Sequence, residues 1–213
     1  MLLDNMNSTY CNCLHPQDIY YIENVVSTDL EKEAIKFIEE NELKWNVISG
    51  KIYTGVKKQR CGFGKSNQEK IPDILLEIGQ SALLYAKENC KNPELLEKLQ
   101  NFTLDNLIIN RYFPGDKCGA HFDPPRKDPF VFGLTLGSLP ETKRTMRWRY
   151  LKQKYDIITN PRSLYIFYGD AFNNWKHESV ASKKQIGTIY SLTFRKHRNE
   201  TISLNDWLGP EEI

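Results

Sequence analysis

One stretch of this chain sets a histidine and an aspartate two residues apart among strand-forming residues, and the rest of the sequence is best read around it. The stretch runs Asn110-Arg-Tyr-Phe-Pro-Gly-Asp-Lys-Cys-Gly-Ala-His-Phe-Asp123 and ends in His121-x-Asp123. In a strand, residues i and i+2 point to the same face, so an imidazole and a carboxylate here aim at one point. A second histidine on a facing strand would complete two histidines and one carboxylate. That set holds Fe(II) on one side and leaves the other coordination positions open. The chain has four histidines, His15, His121, His177 and His197. His177, in Phe-Asn-Asn-Trp-Lys-His-Glu-Ser after the apolar run Ser163 to Tyr168, is the best partner. By itself such a short motif is weak, and two histidines hydrogen-bonded inside a β-protein would read the same.

The rest of the chain supplies strands to hold such a site. From Leu104 onward six runs read as strands: Leu104 to Phe113, Cys118 to Phe122, Phe130 to Gly137, Thr145 to Leu151, Ser163 to Tyr168 and Thr188 to Lys196. Pro-Gly at 114, Pro-Pro at 124 and Asn-Pro at 160 punctuate them. Before them come Asp18 to Ile22 and Trp45 to Ile48 as short strands, Ile52 to Thr54 as another, and two helices. Thr28-x-x-Glu31 has the form of a capping box. Leu30, Ala34, Phe37 and Ile38 then make one helical stripe, with Glu31, Lys32, Glu39 and Glu40 on the solvated side. Pro72 opens a second helix with Ile74, Leu75, Ile78, Ala82 and Tyr85 inward, and Leu95 to Leu99 adds a helical turn. Helices followed by a run of strands predict an α+β class. Strands of this number and spacing roll into two sheets, a double-stranded β-helix of the jelly-roll or cupin kind, with the N-terminal helices packed outside.

At 213 residues the chain suits one domain, read here as 17–213 after a loose lead-in at 1–16, with a β core at about 104–196. Five scattered cysteines argue against a secreted disulfide framework and for a reducing compartment, cytoplasmic or nuclear. Cys11-x-Cys13 with His15 reads either as a small metal site or as nothing specific. No apolar run approaches the ~20 residues of a spanning helix, and the N-terminus lacks the pattern of a signal peptide. The net charge of +2 is close to neutral, so only local clusters bear on nucleic acid.

Two such clusters exist. Residues 55–70 read as a polar, lid-like loop with three glycines, carrying Lys57, Lys58 and Arg60 near Phe63. The cations suit a phosphate backbone, and Phe63 or Tyr53 could stack on a base; a solvated lysine-rich loop is the plainer reading. Lys143 to Tyr150 alternates cations and aromatics, with Arg147 and Arg149 on one face and Trp148 and Tyr150 on the other. The arginine face serves a pocket or a phosphate, or it is the charged flank of an edge strand.

Taken together, residues 50 to 196 resemble the AlkB family of iron- and 2-oxoglutarate-dependent dioxygenases. Asn110-x-Tyr112 and the Tyr112-Phe-Pro-Gly turn, His121-x-Asp123 and His177 (177 − 121 = 56 residues on), Phe132-Gly-Leu-Thr-Leu-Gly-Ser138, Pro161-Arg-Ser-Leu164 and Ser191-Leu-Thr-Phe-Arg195 follow the family's motifs in order. The resemblance implies Fe(II) on His121, Asp123 and His177 as the catalytic centre. It implies 2-oxoglutarate as co-substrate, held by Asn110, Tyr112, Ser191 and Arg195, with O2 as oxidant. The implied reaction is oxidative demethylation of alkylated DNA or RNA, with a protein substrate as the alternative.

One position departs from the pattern. The family's last strand carries Arg-x5-Arg, and six residues before Arg195 stands Ile189. An isoleucine cannot grip the far carboxylate of 2-oxoglutarate. Three readings follow: another cation, such as Arg147 or Arg149, takes over; the co-substrate binds weakly or differs; or the fold has become a binding module. A second departure is Pro125, where base-repair members often carry an acid two residues after the metal aspartate.

Overall fold

The computed structural model describes residues 16–50, 56–123 and 129–197. The Cys11/Cys13/His15 group, Tyr53, Pro124, Pro125 and the C-terminal tail lie outside them, as does the side chain of Lys57. Eleven strands form among the described residues: β1 (Ile19–Ile22), β2 (Asn46–Gly50), β3 (Val56–Gly64), β4 (Asn106–Tyr112), β5 (Cys118–His121), β6 (Val131–Gly137), β7 (Arg144–Tyr150), β8 (Gln153–Thr159), β9 (Ser163–Phe167), β10 (Lys176–Ser179) and β11 (Ile189–Arg195). The helices are α1 (Thr28–Glu40), α2 (Asp73–Asn89), α3 (Pro93–Gln100) and the short α4 (Gly169–Asn173). None is long and apolar enough to cross a membrane.

The strands build two antiparallel sheets, ordered β1-β9-β6-β11-β4-β3-β2 and β5-β10-β7-β8. This is the expected double-stranded β-helix with helices on one outer face. Period two divides each large-sheet strand between two jobs. On β11, Tyr190, Leu192 and Phe194 pack with Leu107, Ile109, Phe132 and Leu134 against Ala34, Ile38, Leu75 and Ile78 of the helices. Each such side chain contributes roughly 1.5–3 kcal/mol by leaving water. Gly79 brings α2 close to the sheet: a Cβ there would meet Phe194 Cζ at 2.5 Å. Between the sheets lies a second core of Val131, Met146, Trp148, Tyr165, Phe167, Phe172 and Trp175.

Several expectations need correction. The capping box does not form: Ser27 is the N-cap, and its Oγ accepts from the Leu30 amide at 3.2 Å. Glu31 is not solvated but 4% exposed. Its carboxylate accepts the Gly137 amide at 3.1 Å and pairs with Arg162 at 3.0 Å, tying α1 to β6 and to the β8–β9 turn. A buried carboxylate needs such partners. The supposed loop at 55–70 is largely strand β3, closed by a 3-10 turn at Lys65–Asn67. Strand alternation sends Phe63 and Cys61 into the helix-side core, so Phe63 is 6% exposed and has no face to offer a base. Strands β8 and β10 and helix α4 were not expected. β8 alternates half-buried and exposed residues at the sheet edge and lacks an apolar run to reveal it.

Candidate metal and co-substrate site

The small sheet brings the two histidines together. β5 and β10 pair antiparallel with His121 directly opposite His177, followed by a register shift before Ser179. Opposed residues share a face, and the two rings sit 4.4 Å apart between centroids. Asp123 follows β5 by two residues, and its carboxylate lies 3.8 Å from His177 Nε2. Potential ligand atoms of His121, Asp123 and His177 all lie within 4.8 Å of one another. His121 Nδ1 donates to the Gly119 carbonyl at 2.8 Å. That bond fixes the ring and leaves Nε2 as the nitrogen for an ion. Phe167 packs on the His177 ring at 4.9 Å.

Arg195 joins this group from the large sheet, its guanidinium donating to the Asp123 carboxylate. Both side chains are buried. From there a cavity of about 190 Å³ runs along the large sheet, lined by Asn110, Tyr112, Ser191, Arg195, Lys58 and Arg60 among others. β4 and β11 set the order, with Asn110 opposite Ser191 and Tyr112 opposite Ile189. Asn110 Oδ1 is buried and has no hydrogen-bond partner among the described residues. Burial pushes the Tyr112 phenol above its ordinary range, so it keeps its proton. Ile189 is 1% exposed and packs with Tyr112 and Cys118.

Arg147 and Arg149 do not reach this cavity. Arg147 forks onto Asp156 at 2.6 Å, and Arg149 pairs with Glu178. They occupy the outer face of β7, while Met146 and Trp148 face in, so neither replaces the arginine missing at 189. The rule that paired Arg147 with Arg149 puts Arg144 on the inner face, with Met146 and Trp148. Arg144 is 4% exposed and lies across the Tyr112 ring at 3.8 Å. It donates to Gln185 Oε1 at 2.9 Å, to the Asp116 carbonyl at 2.7 Å and to Ser179 Oγ. Sequence reasoning missed it because the neighbouring arginines drew the attention.

Tyr165 was missed as well. Its hydroxyl lies 3.0 Å from Ser191 Oγ. It gets there by crossing Gly133, where a Cβ would come within 2.1 Å of the Tyr165 ring. The facing pair of a glycine on β6 and a tyrosine on β9 was the available signal. From β3, the Lys58 ammonium donates to Cys118 Sγ at 3.3 Å. Burial opposes ionisation of that thiol, but the His121 hydrogen bond and the Lys58 charge outweigh it and bring its pKa down to about 7.

No family model matches the chain. An uncharacterised protein, L905, of Acanthamoeba polyphaga mimivirus is 29% identical over 201 residues, covering 89% of this chain and 90% of the relative. A Danio rerio protein named probable RNA/DNA demethylase ALKBH6 is 25% identical over 234 residues, covering 91% of each. Among solved structures, OsALKBH1 superposes with a TM-score of 0.60 at 14% identity, over 86% of this chain and 99% of that one. A Pseudomonas putida prolyl-4-hydroxylase superposes with a TM-score of 0.56 at 15% identity, over 85% and 94%. In motif order, in relatives and in its double-stranded β-helix, the chain is similar to the AlkB-like Fe(II)/2-oxoglutarate dioxygenases.

Proposed function

We propose that the protein is an Fe(II)/2-oxoglutarate-dependent dioxygenase that removes alkyl groups from nitrogen atoms of DNA or RNA. The observation that carries this reading is the meeting of His121, Asp123 and His177 at one end of a cavity whose walls are Asn110, Tyr112, Ser191 and Arg195. Two imidazoles and one carboxylate, on one side of an open cavity, fit Fe(II) by donor type and by number. Asn110 also presents a buried side-chain amide to this cavity, and its N–H groups are the donors that an oxygen-rich guest needs.

His121, Asp123 and His177 would hold the iron. Arg195 keeps the Asp123 carboxylate in place and offers further N–H groups toward the co-substrate. The Tyr112 hydroxyl and the Asn110 amide N–H groups would hold the 2-oxoglutarate, and Tyr165 meets the Ser191 hydroxyl beside them. Val131 and Phe167 of the large sheet and Met146 of the small one add apolar surface to the lining and exclude water. When bound, iron and 2-oxoglutarate supply the oxidising power to hydroxylate a substrate C–H bond with O2, and an N-methyl group so hydroxylated leaves as formaldehyde.

The nucleic-acid assignment draws on the zebrafish relative and on Arg60, which brings positive charge to the cavity wall. The burial of Phe63 favours a second reading, a protein side chain as substrate, because it removes the aromatic platform a flipped base would stack on. Succinate formation from 2-oxoglutarate, measured with iron and oxygen, tests both. Stimulation by methylated oligonucleotides with formaldehyde release is the expected result. Stimulation by peptides alone would move the assignment to protein, and no turnover with any pool would overturn it.

A further inference from the structure

A carboxylate carried out of water into a cavity needs a cation beside it. At the position where the AlkB-like pattern has an arginine, this chain has the buried Ile189, opposite Tyr112 on β4. On the other side of β4 lies β3. Carried one residue beyond the Gln59–Arg111 pair, the β3–β4 register sets Lys58 beside Tyr112. Lys58, Tyr112 and Ile189 thus form one row across three strands. The Lys58 ammonium reaches into the cluster around Ile189, 3.3 Å from Cys118 Sγ and 6.0 Å from the centroid of the Tyr112 ring.

We propose that Lys58 is the cation that receives the far carboxylate of 2-oxoglutarate, replacing from a neighbouring strand the arginine absent at position 189. This rests on the reading of the cavity as a 2-oxoglutarate site. Other cations are less suited. Arg144 lies behind Tyr112, with its donors committed to Ser179, Gln185 and the Asp116 carbonyl. Arg60 faces Asn110, one inward position nearer the metal end. Arg147 and Arg149 are paired with carboxylates on the outer face. Lys58 lines the cavity, and among the described residues no carboxylate pairs with it. Its contact to the Cys118 sulfur is 3.3 Å long, and the flexible lysine stem can carry the ammonium from there toward an incoming carboxylate.

The test is calorimetric and needs no turnover. The full chain, loaded with Mn(II), is titrated with 2-oxoglutarate and with 2-oxovalerate, which keeps the keto acid end but carries a methyl in place of the far carboxylate. The wild type is expected to prefer 2-oxoglutarate by at least about tenfold, as a charged hydrogen bond supports. Lys58→Ala removes that preference by weakening 2-oxoglutarate alone, and Lys58→Arg restores it. Unchanged binding of Mn(II) and of 2-oxovalerate shows that each variant is folded. If Lys58→Ala keeps the preference, or if Arg60→Ala abolishes it instead, the assignment of Lys58 is overturned while the co-substrate site stands. A wild type that binds neither keto acid overturns the site reading itself, and Lys58 with it.

Discussion

The two ends of the cavity are built on different plans. At the metal end the geometry is set by backbone: His121 and His177 face each other across a ladder, and Asp123 is clamped by Arg195 from the opposite sheet. At the far end β11 has Ile189 where the AlkB-like pattern has an arginine, and a cavity-lining charge comes instead from the tip of a lysine on β3. A ladder places an imidazole within a narrow range, whereas a lysine stem has four rotatable bonds and delivers a point charge. Motif positions fixed by backbone are therefore readable from spacing, and a charge delivered by a long side chain is not.

That contrast can be broken at either end. The largest effect is expected from His177→Ala, which removes one of three candidate ligands. Mn(II) affinity should fall by more than the 10–100-fold typical of losing only an outer partner of a metal ligand. Titration followed by electron paramagnetic resonance would show it, and near-normal affinity would mean that the ladder pair is structural.

Gly133→Ala tests the wall between the two ends. The new Cβ collides with the Tyr165 ring, and overpacking of this kind costs up to about 3 kcal/mol. Denaturant unfolding should show the loss, and 2-oxoglutarate affinity should drop as Ser191 loses its Tyr165 contact, with Mn(II) affinity retained.

Glu31→Ala reaches the far end from outside, since Glu31 holds the amide of Gly137, the β6 partner of Ile189. Breaking fully buried pairs costs roughly 3–5 kcal/mol. Arg162 retains 24% side-chain exposure and regains water, so about 2 kcal/mol is expected here. Thermal unfolding measures it; an unchanged Tm would show that the Glu31 contacts carry no net stability.

The smallest effect lies beyond the metal end. Asp105, just before β4, accepts from the His197 amide at 2.9 Å, Thr103 Oγ1 at 2.7 Å and Lys65 at 2.8 Å. Burial alone would raise its pKa, but these donors outweigh it and bring it down to about 2. Because the folded value lies below the unfolded one, this stabilisation is fully present above about pH 4 and is lost as pH falls through about 2. Asp105→Asn should cost about 1 kcal/mol at pH 7 and flatten the acid limb of the stability curve.

Much of this architecture is legible in the sequence because alternation is a strong signal on strands with one apolar face. The six C-terminal runs each overlap an observed strand, β7 starting one residue earlier at Arg144, and the period that put Ser191 and Arg195 on one face of β11 also puts Leu192 and Phe194 in the core. Where the signal failed, a second influence masked it. Gly62 and Gly64, with the cations around them, made β3 look like a loop, which hid the inward turn of Phe63. Glu31 sat at the right spacing for a cap, yet its partners Gly137 and Arg162 lie more than a hundred residues away, beyond any local pattern. Arg144 obeyed the same alternation as its neighbours and faced inward for that reason, a place where charge is costly and therefore rarely expected.

The clamp of Arg195 on Asp123 has one more consequence. The one anionic member of the candidate triad already has its counter-ion, so the protein itself keeps that corner electrically balanced. Small zinc modules whose ligands hold the chain together collapse when a chelator strips the metal. Here two sheets and a helix layer carry the architecture, and the negative charge is neutralised from within. A metal held at this corner would not be needed for the fold, and a sample treated with a chelator should stay folded.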